Sequence, residues 1–122
     1  MNEKETPKPF PVISIDELRK IDDRPARTIP VPAWGRSVVV REPDVRTDTM
    51  IIKSATKTIE SGGKEKSELD NEDFAVKQIL EGFVNPKLGP EDYDMVKGWG
   101  ASTNEYLVTQ IRNRKKNELS TN

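Results

Sequence analysis

Residues 29–42 read Ile29-Pro30-Val31-Pro32-Ala33-Trp34-Gly35-Arg36-Ser37-Val38-Val39-Val40-Arg41-Glu42. Ile29 and Val31 alternate with prolines, and a run of three valines follows the Trp-Gly pair, a β-branched pattern that predicts a hairpin over about Thr28 to Arg41. Pro30 and Pro32 have no amide proton to give to a ladder, so the first strand has to be an edge with its proline nitrogens facing outward. Ala33 to Arg36 supply the turn, where Gly35 is the residue best able to take a positive φ. Trp34 is then either at the tip or folded back over the valines.

Upstream of this hairpin the period is helical. Ser14-Ile15-Asp16-Glu17 has the capping-box spacing, and Ile13 and Leu18 stand at the two positions of a hydrophobic staple. A short helix over about Ile15 to Asp22 follows, with Ile15, Leu18 and Ile21 on one side. Three apolar residues make it a docking element and not a core helix. Residues 1–12 are polar with several prolines and are expected to be a disordered arm.

Downstream, Met50, Ile51, Ile52, Ala55 and Ile59 fit a helix starting near Thr47 or Asp48, although the threonines at 47, 49, 56 and 58 also suit a strand. Helix is the reading adopted for 50–60. Gly62-Gly63 and the alternating charges after it are read as a flexible connector over about 61–69. Val76, Ile79, Leu80, Phe83 and Val84 then repeat at helical spacing behind a cap at Asp70 or Asn71, and Asn85-Pro86 stops that helix after Val84. Gly89-Pro90 opens a short helix carrying Tyr93 and Val96, ended by Gly98 and Gly100. Ser102-Thr103-Asn104-Glu105 repeats the capping-box pattern ahead of a final helix with Tyr106, Leu107, Val108 and Ile111. The expected fold is therefore α+β and mainly α: a short N-terminal helix, a β-hairpin, and a small bundle of three to four helices. Residues 13–117 form its single domain, and 118–122 are a flexible tail.

The chemistry open to this chain is narrow. It has no His and no Cys, which removes the commonest general base, the thiolate nucleophile and the usual transition-metal ligands together. Asp70, Glu72 and Asp73, and likewise Glu91, Asp92 and Asp94, cluster at predicted helix starts, where carboxylates favour the positive end of the dipole. No cofactor, metal or catalytic residue is expected. Gly98-Trp99-Gly100 has neither a strand before it nor a third glycine, so it is a helix break and not a phosphate cradle. A net charge of −1 gives no global field for nucleic acid or an anionic membrane. The basic run Arg112 to Lys116 is accounted for by the negative end of the last helix. Met1 is followed by polar residues with no apolar leader core, and no stretch approaches the roughly 18 apolar residues of a span, so neither standard export nor membrane embedding is expected.

Only 33% of residues are apolar while 34% are charged, against roughly 25% charged in a typical globular domain. A core this thin invites completion by a homo-oligomer or by a partner. Trp34, Tyr93, Trp99 and Tyr106 are the candidate protein-interface residues. Both tryptophans sit on connectors, where each is either folded back onto the core or held out as an interface anchor.

The hairpin segment 29–42 resembles the Val-Pro-x-Trp-Gly-x-x-Val-x-Val-Arg-Glu pattern of the tail assembly chaperones of long-tailed bacteriophages and related prophages. A second similarity lies in Val76 to Val84, Asn85-Pro86 and Leu88-Gly89-Pro90-Glu91-Asp92-Tyr93, which look like that family's apolar helix, short loop and acidic helix opening. Two departures are the short central region 50–60 and the charged stretch 113–122. The resemblance implies a non-catalytic protein of the host cell cytoplasm that binds the tape measure protein, keeps it soluble, and helps recruit the tail tube protein. A structural head-tail or tail component of the virion is the alternative. A small nucleic-acid-binding regulator using Arg112 to Lys116 ranks below it, and an enzyme last.

Overall fold

The computed structural model of the chain describes residues 10–112. The expected arm at 1–12, apart from its last three residues, and the expected tail at 118–122 lie outside the described residues, as do the basic positions 113–116. Phe10 to Ile13 have no regular secondary structure.

Ser14 caps the first helix, α1 (Ile15–Arg19), and the Glu17 side chain accepts in return from the Ser14 amide. It is shorter than the expected Ile15 to Asp22. Arg27–Val31 (β1) and Arg36–Val40 (β2) form the antiparallel hairpin, with Ile29 opposite Val38 and Pro30 opposite Ser37. Gly35 closes the turn at φ 62°. β1 is an edge of a three-stranded sheet with β2 at its centre, so Pro30, the one proline within β1, leaves no ladder bond unmade on the paired side, while Pro32 falls in the turn.

The third strand of that sheet overturns one expectation. The helix α3 (Asn71–Gly82) ends at Gly82 and not at Val84; Phe83–Asn85 is a strand, β5, that pairs with β2. Phe83 and Val84 suit a strand as well as a helix, and the open side of β2 offers them backbone partners. The Arg41 amide donates to the Gly82 carbonyl at 2.8 Å, which extends this pairing by one step.

A larger correction concerns residues 50–69. The helix α2 (Val45–Ser54) starts earlier than expected, under an Asp44 cap, and stops before Ala55. Thr56–Ser61 (β3) and Lys64–Leu69 (β4) then form a second hairpin where a helix end and a flexible connector were expected. Gly62 and Gly63 both take positive φ, 61° and 78°, the two-residue turn whose twist matches that of the strands. The glycine pair is a turn and not a linker. The mainly α expectation fails with it: among the described residues helix takes 45% and strand 24%, in two small sheets and five helices.

Pro90–Asp92 is a single 3₁₀ turn leading into α4 (Tyr93–Lys97). The last helix, α5 (Ala101–Ile111), starts one residue before the expected cap and has no side-chain cap; Asn104 instead donates to the Val96 carbonyl at 3.0 Å. One core joins these pieces. Ile29, Val31, Val38 and Val40 from the sheet meet Val76, Ile79 and Leu80 of α3, Phe83, Val96, and Leu107 and Ile111 of α5. α3 and α5 approach so closely that a Cβ on Gly82 would stand 2.5 Å from a methyl carbon of Ile111.

Candidate partner-binding surface

α3 is the spine of the molecule. Asp70 caps it by accepting from the Asp73 amide at 3.1 Å, and its Val76, Ile79 and Leu80 face the core. The acidic groups expected at helix starts are therefore used there. Two clefts open along its flanks.

The first cleft, about 550 Å³, lies between α3 and α5. Ala75, Val76, Trp99 and Val108 give it an apolar lining, and Glu72, Lys97, Asn104 and Glu105 lie at its polar margin. The second, about 520 Å³, lies between α2, α3 and the Leu88–Pro90 loop, with Met50, Ile51 and Leu80 on its walls. Groove-shaped apolar clefts between helices suit helical segments of a partner.

The four aromatic candidates do not form one patch. Trp34 and Trp99 meet edge to face, ring centroids 4.7 Å apart at 72°, and Phe83 lies 6.3 Å from Trp99. Both tryptophans are half-buried against the core, so the Gly98–Gly100 break brings Trp99 to the turn of the first hairpin. Tyr106 donates its hydroxyl to the Pro30 carbonyl, which ties α5 to β1. Tyr93 donates to the Asp73 carboxylate on the other side of α3. Of the four, Trp99 alone lines the α3–α5 cleft.

The electrostatics around Tyr93 follow from that bond. The hydrogen bond to Asp73, then burial, then the charges of Asp73, Asp70 and Glu72 push the Tyr93 pKa up to about 12. At Asp73, burial acts to raise the pKa but is outweighed by hydrogen bonds from Lys77 and Tyr93 and by the charges of Lys77 and Lys97, which hold it below the usual carboxylate value. Lys77 lies 2.8 Å from Asp73. This is a locked structural cluster, since neither group would exchange protons near neutral pH.

Sequence reading missed Asp48, Gln78 and the cleft residues Ala75 and Val108. Gln78 is fully buried, and its amide donates to Asp48 at 2.6 Å. A polar residue inside the apolar stripe of α3 was a visible signal, but its partner thirty positions upstream was not. α1 and the residues just after it present a different surface: Ile15 and Leu18 of the helix and Ile21 beyond its end are about half exposed, at 59%, 50% and 54%. Among the described residues no group of three acidic side chains could hold a metal ion, and no helix is long and apolar enough to cross a membrane.

The phage XkdN-like tail assembly chaperone protein family matches residues 37–121, well over half of the chain. The chain belongs to this family. No curated protein and no solved structure matches it. In this tail assembly chaperone the match begins at Ser37, inside the first hairpin, so it takes in all of β2 but Arg36 and every later described element. The Trp34-Gly35 turn that carries the sequence resemblance lies just outside it, whereas Val76 to Tyr93 lies within. Both clefts are built entirely from matched residues.

Proposed function

We propose that this tail assembly chaperone binds helical segments of the tape measure protein in the α3–α5 cleft, keeps that chain soluble in the host cell cytoplasm, and helps recruit tail tube subunits. The observation that carries this reading is the apolar cleft of about 550 Å³ with Trp99 in its wall and charged residues of both signs at its margin. A tape measure chain exposes apolar helical faces until the tube closes round it, and such faces are held by grooves between helices.

Co-expression with the tape measure protein tests it. The expected outcome is a soluble complex that copurifies and survives raised salt, because apolar burial is not screened as exposed charge pairs are. Ala75→Glu, placed in the cleft wall, should abolish copurification while leaving the helical circular dichroism unchanged. An insoluble tape measure chain, with this protein found instead as a stoichiometric part of mature particles, would replace the reading with that of a structural tail component.

A further inference from the structure

The β3–β4 hairpin stands away from the core, with every residue of both strands exposed. Among the described residues it is a two-stranded sheet with both edges open. Such a ribbon is marginal by itself and is normally completed by further pairing. Its backbone polarity can be read residue by residue. The Asp70 amide donates to the Ala55 carbonyl at 2.7 Å, so hydrogen-bonded pairs fall at Ala55/Asp70, Lys57/Glu68, Ile59/Lys66 and Ser61/Lys64. The peptide groups of Glu65, Ser67 and Leu69 therefore face the open edge of β4.

Charged edge strands usually repel a second copy. The sequence Lys64-Glu65-Lys66-Ser67-Glu68-Leu69-Asp70 does the reverse. When β4 is laid antiparallel to itself with Ser67 opposite Ser67 of the second copy, Lys66 falls opposite Glu68, twice by symmetry, and Lys64 falls level with Asp70, the α3 cap just past the strand, which already pairs with Lys57 of its own hairpin. Glu65 falls opposite Leu69. Shifting the centre to Glu65, Lys66 or Glu68 sets that residue against its own copy, a like-charge contact that is unfavourable directly across a ladder. β3 has no comparable register: centred on Thr58 it opposes Lys57 to Ile59 and Glu60 to Thr56.

We infer that the open edge of β4 is a homodimer interface, joining two hairpins into a four-stranded antiparallel sheet ordered β3-β4-β4-β3 about a two-fold axis at Ser67. The charges alternate across that sheet, Lys57, Glu68 and then Lys66 of the second copy lying in one row. Ser67 sits in a hydrogen-bonded pair with its own copy, and Lys66 and Glu68 sit in the closer, non-hydrogen-bonded pairs where side chains meet. This inference is independent of what the α3–α5 cleft binds.

Sedimentation and amide hydrogen exchange of the full chain test it together. The expected result is a concentration-dependent dimer in which the amides of Glu65, Ser67 and Leu69 gain protection as the dimer forms. Ser67→Pro removes an outward amide without removing a hairpin bond and should give a monomer with the Lys64, Lys66 and Glu68 amides still protected. Lys66→Glu and Glu68→Lys should each weaken self-association by about tenfold or more, and an equimolar mixture of the two should associate again, since every charge pair is then complementary. A chain that stays monomeric at all accessible concentrations overturns the inference. So does a dimer that persists in both Ser67→Pro and Lys66→Glu, or free exchange at Glu65, Ser67 and Leu69 in the dimer.

Discussion

Arg112 donates to the Asp48 carboxylate over 2.9 Å, joining the end of α5 to the first turn of α2 across 64 positions of sequence. The same oxygen accepts from the buried Gln78 amide, so one carboxylate links α2, α3 and α5. Arg112 also lies over the Phe74 ring at 5.4 Å. Asp48→Ala leaves both donors without that acceptor and should cost about 1–3 kcal/mol in urea unfolding. Arg112→Met keeps apolar contact with Phe74 and leaves Gln78 bonded, so its cost should be the smaller of the two.

Leu80 and Phe83 are buried in the single core cluster, and truncating either to Ala should cost roughly 2–5 kcal/mol. Gly82 tests the same packing from the other direction. Ala at 82 would press on the fully buried Ile111, where overpacking typically costs about 1–3 kcal/mol. Thermal melts that match the wild type would show that this α3–α5 contact is looser than its geometry.

The edge-to-face contact of Trp34 with Trp99 should appear as a coupling of about 0.5–1.5 kcal/mol in a double-mutant cycle with Ala. Because Trp99 and not Trp34 lines the α3–α5 cleft, the proposed function expects Trp99→Phe to weaken copurification of the tape measure protein more than Trp34→Phe does. Equal losses in a pull-down would assign both rings to the core alone.

Tyr93 supplies a pH test. Its pKa is raised from 10.0 to about 12 in the fold, so the folded state holds this proton more tightly than the unfolded chain. The contribution is fully present below about pH 10 and is lost as pH rises through about 12. Tyr93→Phe should flatten that part of the stability profile, and the difference between the two alkaline urea titrations isolates it from the titrating lysines.

What the sequence determined alone was local: Pro30 puts β1 at an edge, Ser14 and Asp70 cap their helices, and the spacing of Val76, Ile79 and Leu80 defines the buried stripe of α3. Each of these depends on neighbours within one turn or one ladder step. The tertiary structure decided the rest. Phe83 to Asn85 carry helical and strand preference together, and the open side of β2 settles the matter through backbone bonds to residues some forty positions away. Thr56 and Thr58 carry a strand preference, but Thr56 to Leu69 lack an apolar face to confirm it, and the cross-strand pairing enabled by the two positive-φ glycines decides for the hairpin. Trp34 and Trp99 meet because two separate chain breaks deliver them to the same end of the core. Asp48 and Gln78 find each other for the same reason: pairing across a fold depends on distances that no local pattern encodes.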